Sequence, residues 1–152
     1  TDPVGLYIAS THTSVTLLVM QRMKFPLPIA NQVASYAGLG DWNPSWQVSQ
    51  AVENAHCHGM RPPWLTPEQA RDLTERFIDR MIARCDLESL GRAIHAAQDI
   101  TAPGHQGWQE YNGSVSLRHV IGDANPPPEN LASAHRITFE TIVRWQRQCA
   151  CQ

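Results

Sequence analysis

The stretch AIHAAQDITAPGH, residues 93–105, holds three good metal ligands: His95, Asp99 and His105. Positions four apart on a helix lie one turn apart on the same face, so His95 and Asp99 can reach one ion together. Pro103 and Gly104 let the chain turn back and bring His105 within range. A second His-x-x-x-Asp pair, His119 and Asp123, follows, and upstream lie His12, Asp41, His56 and His58. Imidazole nitrogen and carboxylate oxygen together suit zinc, which takes such ligands at roughly 2.0–2.2 Å. A lone helical histidine beside Ala and Ile is ordinarily a core or surface residue, and one His-x-x-x-Asp pair carries little weight. Two such pairs separated by a further histidine are much harder to obtain by chance. Only His135 is left outside the set, and it is assigned to the surface of the last helix. Residue types and spacing therefore predict a metal site.

The elements that must position these ligands read as helices. Residues 12–24 suit a helix opened by Thr11 or Thr13 and closed before Pro26, and 28–39 a second ending at Gly38 or Gly40. A short helical piece is expected from about Ser45 to Ala55. The clearest signal is LTPEQARDLTERFIDRMIARC, with Thr66 as N-cap, Pro67 at the first helical position and Glu68 after it. Leu73, Phe77, Met81 and Cys85, with Ile78 and Ile82 beside them, form its apolar stripe. LESLGRAIHAAQDI continues as another helix, residues 114–122 form a short one, ANPPPEN breaks the chain, and 129–148 make the last. The expected fold is all-α: a compact single-domain bundle of about five to seven helices around a zinc cluster. A length of 152 residues, 42% of them apolar and 17% charged, fits one globular domain with a sizeable core.

A formal net charge of −2 disfavours non-specific duplex binding. The apolar run SVTLLVM is too short to cross a bilayer, and without a basic leader it is not a typical signal peptide. Cys57, Cys85, Cys149 and Cys151 match no common zinc spacing and are read as mostly reduced, with a Cys57–Cys85 bridge or one from the tail left open. Arg71, Arg76, Arg80 and Arg84 are interleaved with acidic residues and read as a solvated face.

The ligand order resembles that of the zinc-dependent phospholipase C and fungal single-strand nuclease superfamily. Its motif runs His, Asp four later, His six later, then another His with an acidic residue four beyond, and His95, Asp99, His105, His119 and Asp123 match that spacing throughout. The gap of fourteen from His105 to His119 is that of the phospholipase branch, while ending in Asp is more usual in the nuclease branch. The similarity covers residues 10–125 in outline and is specific only over 95–123. His12 resembles the family's N-terminal histidine and Asp41 the aspartate that follows it. For the next ligand His56 fits the gap better, whereas His58, in HGMRP, looks more like the His-x-Met-Arg pattern of bacterial toxin relatives and is favoured. The resemblance implies an all-α fold with two or three zinc ions. Asp41, His58, His95 and Asp99 would hold one, His12 and a bridging Asp99 a second, and His105, His119 and Asp123 the third. Asp41 would also act as base towards water. The family completes its second site with an N-terminal Trp, where this sequence reads Thr1-Asp2.

TDPVGL, at the start of residues 1–10, resembles the Asp-Pro-x-Gly-Leu motif that ends the core of Rhs-repeat proteins and marks self-cleavage before a C-terminal toxin. Cleavage after Leu6 would expose Tyr7, five residues before His12, at the distance the nuclease branch uses for its terminal Trp. Residues 11–152 are then expected to be a phosphodiesterase toxin domain, secreted or delivered into a target cell as part of a larger bacterial polypeptide, monomeric, and matched by a cognate immunity protein. The expected substrate is phospholipid at a membrane surface. Trp42 and Trp108, beside predicted ligands, are expected to border the site. The alternatives are a nuclease stacking single-stranded DNA or RNA on the same tryptophans, and a zinc-stabilised helical binding module without catalysis. No Gly-x-Ser-x-Gly or His-Glu-x-x-His sequence supports acyl-transfer or zincin chemistry.

Overall fold

The computed structural model describes residues 9–39, 51–114 and 125–150. Their elements are α1 (Ala9–Arg22), α2 (Leu27–Gly38), a 3₁₀ helix (Val52–His58), α3 (Pro67–Ile82), α4 (Leu87–Asp99) and α5 (Pro128–Cys149). Among the described residues there is no strand beyond a single bridge between Arg61 and Glu110. The protein is an all-α bundle, as the periodicity predicts.

Local chemistry explains the boundaries. At the start of α3 the Thr66 hydroxyl accepts from the Gln69 amide at 3.2 Å, and the Gln69 side chain accepts from the Thr66 amide at 2.9 Å. This reciprocal box satisfies two of the amides that a helix start leaves unbonded. Asp86 caps α4 by accepting from the Ser89 amide at 2.7 Å. Prolines at the starts of α2, α3 and α5 preset the helical φ where no amide hydrogen is needed.

Helix α4 lies at the centre, packed against α1, α2, α3, α5 and the 3₁₀ helix. From Ala93 to Asp99 every residue is buried. Leu90 and Ile94 join Val15, Val19, Met20 and Val33 in one core cluster, while Ala93, Ala96 and Ala97 join Phe77, Ile78, Met81 and Ile82 in another. The small side chains let neighbouring helices approach closely. Gly91 is the extreme case: a Cβ there would meet Tyr36 Cβ at 2.4 Å and the Ala37 nitrogen at 3.0 Å. Gly91→Ala would gain helix propensity of up to about 1 kcal/mol but force α2 and α4 apart. The expected net loss is about 1–3 kcal/mol, a Tm lower by several degrees in a thermal melt; an unchanged Tm would show that the contact yields freely.

The 3₁₀ helix replaces the expected short piece from Ser45 to Ala55, of which residues 45–50 lie outside the described residues. It ends at Gly59, whose φ of 64° is left-handed and whose α-carbon lies so close to α4 that a Cβ would sit 3.1 Å from the Ile100 nitrogen. That turn sets His58 against the C-terminal end of α4. The expected helix at 114–122 falls almost wholly outside the described residues.

The cysteines are not all reduced. Cys85, just past α3, is bridged to Cys149 at the end of α5, while Cys57 is a buried free thiol whose pKa burial pushes up to about 11. Neither pairing with Cys57 nor a thiol at Cys85 survives in the fold, because α3 and α5 run side by side and bring their ends within bridging distance, with Cα atoms 5.5 Å apart.

Candidate metal centre

Three histidines, from α1, α4 and the end of the 3₁₀ helix, converge on a single carboxylate. Asp99 closes α4 with no exposed surface. Its Oδ1 lies 3.3 Å from Nε2 of His12 on α1. Its Oδ2 lies 3.2 Å from Nε2 of His95, one turn back on α4, and 3.3 Å from Nδ1 of His58. His95 Nε2 and His58 Nδ1 are themselves 3.4 Å apart, and the His12 and His95 rings are tilted by 33° with centroids at 4.2 Å. His12, His95 and Asp99 form a buried group that could hold a metal ion.

Hydrogen bonds at the far side of each ring fix the tautomers. His95 Nδ1 lies 2.9 Å from the Ala37 carbonyl at the end of α2. A carbonyl can only accept, so Nδ1 carries the proton and a neutral His95 turns the lone pair of Nε2 towards Asp99. His12 Nδ1 meets the Gln98 side-chain oxygen at 2.7 Å, which has the same effect. Each Nε2 then faces a carboxylate oxygen, acceptor against acceptor, and only a proton or a cation between them makes the contact attractive. This donor set fits zinc: neutral imidazoles anchored through Nδ1 and an ionised carboxylate. Burial works to raise the Asp99 pKa, but in the metal-free site, where a proton on Nε2 takes the cation's place, the charge of His95 and hydrogen bonds from His12, His58 and His95 hold the carboxyl well below the usual carboxylate range.

The structure separates the two histidines that spacing left open. His58 faces Asp99; His56 places Nε2 3.5 Å from Cys57 Sγ, and its carbonyl receives the Thr74 hydroxyl at 2.7 Å. His105 is buried next to this group, its Nδ1 donating to the His58 carbonyl. The segment that carries it is tied down by the Arg61 amide on the Gln109 carbonyl at 3.0 Å, the Tyr111 amide on the Arg61 carbonyl at 2.8 Å, and an ion pair between Arg61 and Glu110 at 3.1 Å. Asp41, His119 and Asp123, with Trp42 and Tyr7, lie outside the described residues.

The structure also places Trp108 and His135. Trp108 donates to the Thr74 hydroxyl at 3.0 Å and lines a cavity of 370 Å³ with Ile78, Ala97, Ile100 and Ile137, on the α3–α5 side of α4. His135 is not on an open surface: it is half-buried in a groove between α1 and α5, where burial and then Arg22 lower its pKa. The residues that sequence reasoning missed are Gln98, Thr16 and Thr138: behind His12, Gln98 donates to both threonine hydroxyls. The signal for them was Gln98 itself, a polar residue amid the Ala and Ile of a helix that had to be buried.

A scan of family models found no match to this chain, and searches of curated proteins and of solved structures found none either. The buried His/Asp geometry is therefore the firmest guide to what the chain does.

Proposed function

We propose that the chain is a zinc-dependent phosphodiester hydrolase of phospholipase C type, holding two or three zinc ions and acting on phospholipid headgroups at a membrane surface. The observation that carries this reading is the division of Asp99: His12 stands against one oxygen, His58 and His95 against the other. A carboxylate flanked in this way is suited to sit between two cations, which is the role the resemblance over residues 95–123 implies for it. Bound zinc would supply an acidified water and draw charge from the phosphoryl oxygens. The chain's own part is to present Nε2 of His12 and His95 in the unprotonated tautomer, hold His58 against Asp99 through the Gly59 turn, and keep water away from the carboxylate. The Cys85–Cys149 bridge suits an oxidising compartment, in keeping with an exported toxin domain carried in a larger bacterial polypeptide and held in check by an immunity protein. No helix among the described residues is long and apolar enough to cross a membrane, so lipid would be met from the surface.

The test is zinc per chain together with hydrolysis of phosphatidylcholine vesicles and of single-stranded DNA, for wild type and His95→Ala, with circular dichroism to check that the variant is folded. Two or three zincs, with lipid hydrolysis lost in the variant, is the expected result. DNA cleavage alone would move the domain to the nuclease chemistry. Bound zinc with neither activity would leave a zinc-stabilised binding module.

A further inference from the structure

We infer that Gln98 is a positioning residue that selects the metal-binding tautomer of His12; the inference rests on the metal reading proposed above. Gln98 is buried on α4 beside Asp99, and all of its side-chain hydrogen bonds run to buried groups. The Thr138 hydroxyl on α5 donates to the Ala134 carbonyl at 2.7 Å, so its oxygen is free only to accept. It accepts from Gln98 Nε2 at 2.8 Å, and Thr16 on α1 accepts from the same nitrogen at 3.0 Å. Both amide protons are thereby committed, and the amide cannot flip without placing its oxygen against Thr138, whose proton is already engaged. Oε1 is left facing His12 Nδ1 at 2.7 Å, and that nitrogen must donate.

The relay works against the local preference of the ring. A neutral His12 with no partner at Nδ1 would put its proton on Nε2 and donate to the Asp99 carboxylate 3.3 Å away; with Gln98 in place that form would set the Nδ1 lone pair against Oε1 at 2.7 Å. That tautomer offers a cation nothing. By accepting from Nδ1–H, Gln98 keeps the proton on that nitrogen and leaves the Nε2 lone pair turned towards Asp99. The chain Ala134–Thr138–Gln98–His12 runs from α5 through α4 to α1, so a residue on the last helix bears on a ligand of the first.

The experiment compares wild type with Gln98→Met, which keeps length but has no acceptor oxygen. The ¹⁵N shifts of His12 in metal-free protein at alkaline pH report the tautomer, and zinc titration against a competing chelator reports affinity. Wild type is expected to protonate Nδ1. Gln98→Met is expected to switch His12 to the Nε2–H form and to weaken zinc by about 10–100-fold. Retention of the Nδ1–H form, or of wild-type affinity, in Gln98→Met overturns the inference. If that variant fails to fold, Thr138→Val removes the acceptor that orients the amide and is expected to shift both readouts the same way, less strongly; wild-type values there also overturn it. A wild type that takes up no zinc overturns the metal reading, whereas the His12 tautomer judges the Gln98 assignment separately.

Discussion

Asp99→Asn is expected to abolish the stabilisation of this fold by zinc. Among the described residues Asp99 is the carboxylate that touches His12, His58 and His95 at once, and an amide supplies neither the charge nor the second oxygen that a cation needs there. A ligand present at a thousand times its Kd stabilises the folded state by about 4 kcal/mol, roughly 8–16 °C in Tm for a chain of this size. Wild-type protein should therefore melt lower by about that amount after chelation, and the variant should not respond. Its metal-free fold should also be weaker, by about 3–5 kcal/mol, because the proton that the buried imidazoles hold in the cation's place loses its counter-charge. The Asp99 pKa is depressed in the folded state, so this contribution is present above the ordinary carboxylate value and is lost as pH falls through the folded one. A chelator-sensitive melt in Asp99→Asn would remove the carboxylate from the centre of the site.

The second large effect concerns the bridge. Cys85 and Cys149 are 64 residues apart, and closing a loop of that length removes unfolded-state entropy worth about 4 kcal/mol in the chain-entropy model. Replacing both cysteines with alanine should lower Tm by roughly ten degrees, and reductant should do the same to wild type but not to the double variant. A wild-type melt indifferent to reductant would mean that the two ends of α3 and α5 hold together without the bond.

Much of the scaffold was legible because it rests on short-range chemistry. The Thr66 cap, the proline starts and the 3.6-residue stripe of α3 can be read within a few positions, and each holds in the fold. The stripe shifts only at its edges: Ala70 and Thr74 are buried and Leu73 is partly exposed, since α3 meets both α4 and the 3₁₀ helix. His95 and Asp99 were legible for the same reason, being one turn apart. His56 against His58 was not, because the answer depends on a 3₁₀ winding of three residues per turn and on the left-handed Gly59, which sequence spacing alone does not encode. The Cys85–Cys149 pairing and the Gln98 relay depend on contacts between distant segments. A short-range reading sees each partner but not the pair.

The burial of α4 has a consequence for how a bound ion would leave. Amides in a helix covered on every side exchange with solvent only when most of the molecule opens, and His95, Gln98 and Asp99 share that protection. An ion on Nε2 of His95 and the Asp99 carboxylate would not be lost through fraying at a helix end, although Asp99 is the last residue of its helix. Its departure would have to wait for the His58–Gly59 turn or the start of α1 to lift away. The residence time of the ion would then be set by the unfolding of neighbours rather than by the strength of its bonds.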